Sequence, residues 1–103
     1  MVGNLIHPMD AESVDLNRLE RSLSLLGESL PDGRYRVSGG AEPHWVDLRT
    51  PNFPRCDCGD YLWRESLCKH ILAALLREGD QRVIRALGRL VSRLKTGQLL
   101  SEN

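Results

Sequence analysis

An α+β fold is what this chain of 103 residues predicts: two short strands and a helix, flanked by an N-terminal helix and a C-terminal amphipathic helix. Three observations predict it. Leu16, Leu19, Leu23, Leu26 and Leu30 recur at spacings of three and four, the period of a helix face. Tyr35 and Val37 alternate with polar residues, and a second short run follows from His44 to Arg49 across Gly39-Gly40, the pattern of a hairpin. Val83, Ile84, Leu87, Leu90, Val91 and Leu94 gather on one side of a helical projection.

Taken in order, residues 1–12 contain Gly3, Asn4, Pro8 and Met9 without periodicity and read as a flexible lead-in. Residues 13–30 read as the first amphipathic helix, with Asp10 or Ser13 as its cap and Gly27 closing the regular part. Pro31-Asp32-Gly33 is a turn. The strands follow, the second with Trp45 and Leu48 inward and Val46 as a further inward candidate, until Pro51 and Pro54 stop ladder pairing. Residues 56–67 look irregular. Lys69–Arg77 is rich in helix formers, and Gly79 supplies a stop. The unit between the two flanking helices thus spans residues 34–78. A basic amphipathic helix occupies 80–95, and 96–103 reads as a frayed tail.

One compact domain is expected from the length, and a chain this short commonly supplements its core with a metal, a disulfide or a partner. The three cysteines are an odd number confined to Cys56–Cys68, so a disulfide framework does not account for them. Neither a leader with a charged start and apolar run nor a bilayer-length apolar stretch is visible. The expected location is therefore the cytoplasm or nucleoid, where thiols stay reduced. Fourteen basic side chains balance fourteen acidic ones, so bulk charge gives no argument for nucleic acid. The halves differ: residues 1–50 carry 5 basic and 8 acidic groups, net −3, and residues 51–103 carry 9 and 6, net +3.

Cys56 and Cys58 are separated by one residue, Cys68 and His70 by one residue, and the two pairs by nine. Four soft or borderline donors in two close pairs match tetrahedral zinc. The first pair suits an extended knuckle after the hairpin, with Gly59 easing the turn. The second pair suits a helix start, with Cys68 at or before the first turn and His70 just inside it. Thiolates are favoured at a helix N-terminus, and Lys69 offsets part of their charge. Inert burial of three cysteines is the bland alternative, and their clustering argues against it. A redox dithiol is a second, although its usual motif has two intervening residues. His7 and His44 read as exposed or hydrogen-bonded histidines outside the ligand set, and Asp60 and Glu65 as solvated or outer residues.

With these residues in view, CDCGDYLWRESLCKHILAALL resembles a SWIM-type zinc finger, whose pattern is Cys-x-Cys, a variable gap, then Cys-x-His. The resemblance extends back over the hairpin from Tyr35 to Arg49, since the family's fold is two strands followed by a helix. It implies that Cys56, Cys58, Cys68 and His70 bind one zinc ion. No ligand position departs from the pattern. By the same resemblance the finger is associated with DNA or protein binding, in proteins such as transposases, remodelling ATPases, recombination accessory factors and ubiquitin ligases.

Four protein ligands leave no open coordination position, and no nucleophile with its base is apparent, so structural zinc without enzymatic activity is expected. Two functions from different classes follow. One is a DNA-associated module: Arg82, Arg85, Arg89 and Arg93 fall within about an 80° arc opposite the apolar face of the last helix, and Arg55, Arg64 and Lys69 extend the basic set. The plain alternative is a solvated face of an ordinary amphipathic helix. The other is a protein adaptor or dimerisation module, docking through the leucine-striped first helix or the apolar side of the last. All five aromatics fall in the hairpin and zinc loop, where they build a small core or, for Tyr61 and Trp63, contact bases or a partner. A membrane or a small-molecule substrate is not expected.

Overall fold

The computed structural model describes residues 14–50, 53–58 and 67–101, with side chains to residue 96. The lead-in, Asp10 and Ser13, the loop residues Gly59, Asp60, Tyr61, Trp63, Arg64 and Glu65, and the last two residues lie outside the described residues.

The order of elements is α1 (Leu16–Ser22), β1 (Leu26–Ser29), β2 (Arg34–Ser38), β3 (His44–Asp47), β4 (Arg55–Cys56), α2 (Lys69–Glu78) and α3 (Gln81–Ser101). The strands form one antiparallel meander in the order β1-β2-β3-β4. The fold is α+β, as expected, but its sheet has four strands where the sequence suggested two.

The N-terminal helix is the largest departure. It runs from an Asp15 cap, whose carboxylate accepts from the Asn17 and Arg18 N–H groups at 2.8 and 3.2 Å, and stops at Ser22 rather than near residue 30. Two serines contribute to the stop, each bonding the carbonyl three residues back: Ser22 Oγ to Leu19 O at 2.6 Å and Ser24 Oγ to Arg21 O at 3.1 Å. Residues 26–29 then pair with β2, Gly27 opposite Val37 and Ser29 opposite Tyr35. Gly27 is buried because α2 crosses directly over it. A Cβ there would stand 3.7 Å from Ala73 O and 3.8 Å from Ala74 Cα, room for a methyl and little more.

Register fixes what faces the helices. Tyr35 pairs with Val46, and Val46 with Cys56, so these inward positions form one row across β2, β3 and β4. Val46 is fully buried, whereas Trp45 is 44% exposed on the outer face with the Arg34 guanidinium 5.8 Å from its ring centroid. The expected inward Trp45 is corrected to Val46, because strand alternation sends adjacent side chains to opposite faces. Leu48 packs partly against the core, and Phe53 is exposed. Of the described aromatics only Tyr35 is buried, and it donates to Glu78 at the far end of α2.

The middle of the molecule is α2. His70 through Leu75 are all buried, with the sheet, α1 and α3 each packed against this helix. Gly79 ends it in the left-handed region at φ 87°, donating to Leu75 and Leu76, while the Asp80 N–H also returns to Leu75 O. Asp80 immediately caps α3: its Oδ1 accepts from Arg82 N at 2.9 Å and Val83 N at 3.2 Å. Two residues therefore close one helix and open the next. The last helix continues to Ser101 rather than ending near Lys95. No proline interrupts it, and Gln98, Leu99 and Leu100 are helix formers that outweigh one Gly97. Val83, Ala86 and Leu90 are its buried side. Among the described residues no helix is long and apolar enough to cross a membrane.

Candidate metal centre

The hairpin and α2 converge at one point. Cys56 is the last residue of β4, with its side chain on the inner face beside Val46. Cys58 follows two residues on, and with Asp57 between them both thiols stay buried on the helix side. Cys68 is the N-cap of α2, extended at φ −79° and ψ 170°, and His70 sits in the first turn. Cys68 O accepts from Leu72 N at 3.0 Å, which starts the helix immediately beneath the sulfur.

The three sulfurs and one imidazole nitrogen lie within 4.8 Å of one another, and all four residues are buried. Thiolates held about 2.3 Å from one tetrahedral ion are roughly 3.8 Å apart, so closure needs movement on the order of 1 Å. Sulfur-rich donors at this spacing fit zinc, and the centre holds one structural zinc ion.

Electrostatics prepare the thiols unequally. The Cys68 thiol is pulled below its ordinary range by a hydrogen bond from Cys56, against the effect of burial, with His70 and the Ile71 N–H adding to the pull. The Cys56 thiol is pushed up by sharing that proton and by burial. Cys68 also stands at the positive end of α2, which favours its thiolate. A divalent ion reverses the penalty on the others, because coordinated thiols lose their protons outright.

His44, which the sequence reading set aside, and Asp57, which it did not weigh, stand beside the ligands. His44 faces inward from β3, two residues before Val46, and its ring lies 4.4 Å from that of His70, tilted by 47°. Its Nδ1 is 3.0 Å from Asp57 Oδ1, and the same oxygen accepts from Trp45 N at 3.1 Å. Asp57, between the first two ligands, thus latches the knuckle to the start of β3. The sequence carries a signal for this only in hindsight of the register: the residue between two inward cysteines points outward, toward the neighbouring strand.

The proposed nucleic-acid residues are distributed unevenly. Arg85, Arg89 and Arg93 are exposed on α3, and Arg82 is half-buried with its guanidinium 2.7 Å from Asp80 Oδ2. Arg93 also reaches Asn17 Oδ1 at 3.5 Å. Lys69 is half-buried beside the ligands, and Arg55 is exposed on the outer sheet face, away from the helices. A concavity of about 400 Å³ lies at the opposite end of α2 from the ligands, lined by Tyr35, Leu48, Arg49, Leu75, Glu78 and Arg82 among others. Its charged groups and the Tyr35 hydroxyl are bonded internally, Tyr35 to Glu78, Arg49 to Asp47 and Arg82 to Asp80.

Comparison with known proteins gives one match: residues 35–79 fit the family model described as SWIM zinc finger. That span takes in β2, β3, β4 and α2 with all four ligands. No curated protein and no solved structure matches.

Proposed function

We propose, because residues 35–79 match the SWIM zinc finger family model, that this protein is a non-catalytic docking module that contacts nucleic acid through the arginine face of α3. Zinc clamps the knuckle to the start of α2, and α2 carries α3 through the Gly79-Asp80 junction, so the metal fixes where the arginines stand. The observation that supports the reading is the line of Arg82, Arg85, Arg89 and Arg93 along one side of a continuous helix, three of them exposed. Guanidinium groups spaced along a helix suit the phosphates of a nucleic-acid backbone. Four filled coordination positions leave no site for a zinc-bound water, which supports a role without catalysis.

Fluorescence anisotropy with labelled duplex and single-stranded DNA tests the reading. Binding is expected at micromolar protein in low salt, weakening steeply as salt rises. Arg85→Glu combined with Arg89→Glu should lower affinity by at least tenfold while zinc content stays at one per chain. Absence of binding at low salt overturns it.

A second reading, a protein adaptor, is favoured by a different observation. Leu23 and Leu26, at the corner between α1 and β1, are 51% and 69% exposed, and the chain carries no net charge. Co-purification that survives nuclease and falls with Leu23→Ser/Leu26→Ser would replace the nucleic-acid reading with this one.

A further inference from the structure

We infer that His44 is a further metal donor of this centre, able to take the place of Cys58 and so turn a site of three sulfurs and one nitrogen into one of two and two. The inference rests on the metal centre described above and is independent of the nucleic-acid reading. His44 opens β3, two residues before Val46, and shares its inner face. Val46 pairs with Cys56, and the strands stay joined beyond that pair, since Asp57 N donates to Trp45 O at 3.4 Å. The same antiparallel register sets His44 across from Cys58, with both side chains on the helix side.

The imidazole is prepared as ligand histidines are. Its Nδ1 stands 3.0 Å from Asp57 Oδ1. An ionised carboxylate only accepts, so in the neutral ring Nδ1 carries the proton and Nε2 carries the lone pair. A carboxylate behind one ring nitrogen is the arrangement that turns the other nitrogen toward a metal. Among the described residues nothing bonds that Nε2. The ring is also close enough. Two imidazoles bound to one tetrahedral zinc, each nitrogen about 2.0 Å from the ion, have centroids about 5 Å apart, and those of His44 and His70 are 4.4 Å apart. His44 stands outside the four donors that lie within 4.8 Å of one another, so it is a reserve to that set rather than a member of it.

Cys58 is the ligand it suits. Cys56 and Cys58 hold the ion from the sheet side, and Cys68 and His70 hold it from the start of α2. Exchanging His44 for Cys58 keeps two donors on each side, whereas exchanging it for Cys68 or His70 leaves α2 a single hold. Charge favours the same exchange: zinc with three thiolates carries a net charge of about −1 and with two thiolates none, which is less costly to bury. Loss of the Cys58 sulfur therefore need not release the ion.

Cobalt, loaded in place of zinc, reports its donors by absorption. The Cys58→Ala full chain should hold one cobalt per chain, keep the visible bands of a four-coordinate ion, and lose about one-third of the thiolate charge-transfer intensity, two sulfurs standing where there were three. In the zinc-loaded variant the His44 Nε2 resonance should move to its metal-bound position in NMR spectra of the ring nitrogens. His44→Phe keeps a ring against His70 and removes only the donor. Alone it should leave the parent cobalt spectrum unchanged, and added to Cys58→Ala it should lower metal affinity by about tenfold or more. Release of the metal by Cys58→Ala overturns the inference, as does equal metal affinity of Cys58→Ala with and without His44→Phe. A parent chain that binds no metal overturns the metal centre itself and this inference with it.

Discussion

The imidazole of His44 lies against that of His70, ring centroids 4.4 Å apart, so a residue of β3 braces a zinc ligand carried by α2. His44 is in turn held by the Asp57 carboxylate, which sits between the ligands Cys56 and Cys58. Both ligand pairs are thereby joined by protein contacts as well as by the metal.

Removing the Asp57 carboxylate should loosen this arrangement without removing a ligand. Groups that orient metal ligands typically contribute about 10- to 100-fold in affinity, and Asp57→Ala is expected to fall in that range. His44→Ala should act in the same direction. Competition against a chromophoric chelator measures both, and parent-like affinity in Asp57→Ala would show that the latch is idle.

Loss of the metal should undo the middle of the chain. Structural zinc contributes on the order of 10 kcal/mol or more in small domains, comparable to the whole net stability of a domain of this size. Chelation, Cys68→Ser or His70→Ala should each abolish cooperative thermal unfolding followed by circular dichroism. A metal-free protein that keeps its melting transition would contradict the structural role.

Acid should separate the metal from the surface ion pairs. Asp15, Asp32, Asp47 and Asp80 all titrate below the usual carboxylate range. Asp47 is drawn to about 2 by the Arg49 guanidinium and backbone N–H. Burial pushes Asp80 up, but the Arg82 guanidinium and the Val83 N–H outweigh it. Folded values below unfolded ones mean that these groups contribute stability above about pH 4 and lose it only as pH falls further. Zinc release requires protonation of thiolates and imidazole, which begins at higher pH. Unfolding and zinc release should therefore coincide above about pH 4. Unfolding that waits for the carboxylates would place the stability elsewhere.

Asp80→Ala removes the cap of α3 together with the Arg82 pair and should cost about 1–2 kcal/mol, a fall in Tm of roughly 4–8 °C per kcal/mol. Asp80→Asn retains the capping oxygen and should cost about half as much or less. Equal losses for the two variants would mean that the ion pair, rather than the cap, matters.

The register of β3 can be read from two substitutions. Val46→Ala, at a fully buried position, should cost about 2 kcal/mol, whereas Trp45→Ala on the exposed face should cost about 1 kcal/mol or less. The reverse order would put Trp45 inside after all.

The ligand set was legible because its information is local: two pairs of donors at fixed short spacing need no knowledge of the rest of the chain. Gly79 was legible as a helix stop for the same reason. The leucine spacing from Leu16 to Leu30 misled because Leu26 continues a helical period by coincidence while lying in an edge strand. The stop at Ser22 depends on β1 finding β2 and on α2 crossing Gly27, both long-range events. Trp45 was misplaced because size suggested burial, whereas parity with Tyr35 and Cys56 decided it. His44 and Asp57 stayed hidden because their partners are set by strand register. Beyond Leu94 the loss of apolar periodicity suggested a tail, yet the helix runs on to Ser101 through residues of good helix propensity.

The ligands Cys58 and Cys68 are held at one point by the ion, with nine residues strung between them. Chain tethered at both ends pays for extra length only logarithmically, about 0.6 kcal/mol for each doubling. The spacing between the two ligand pairs is thus thermodynamically forgiving: a longer connection would raise the entropic cost of closing the site only slightly.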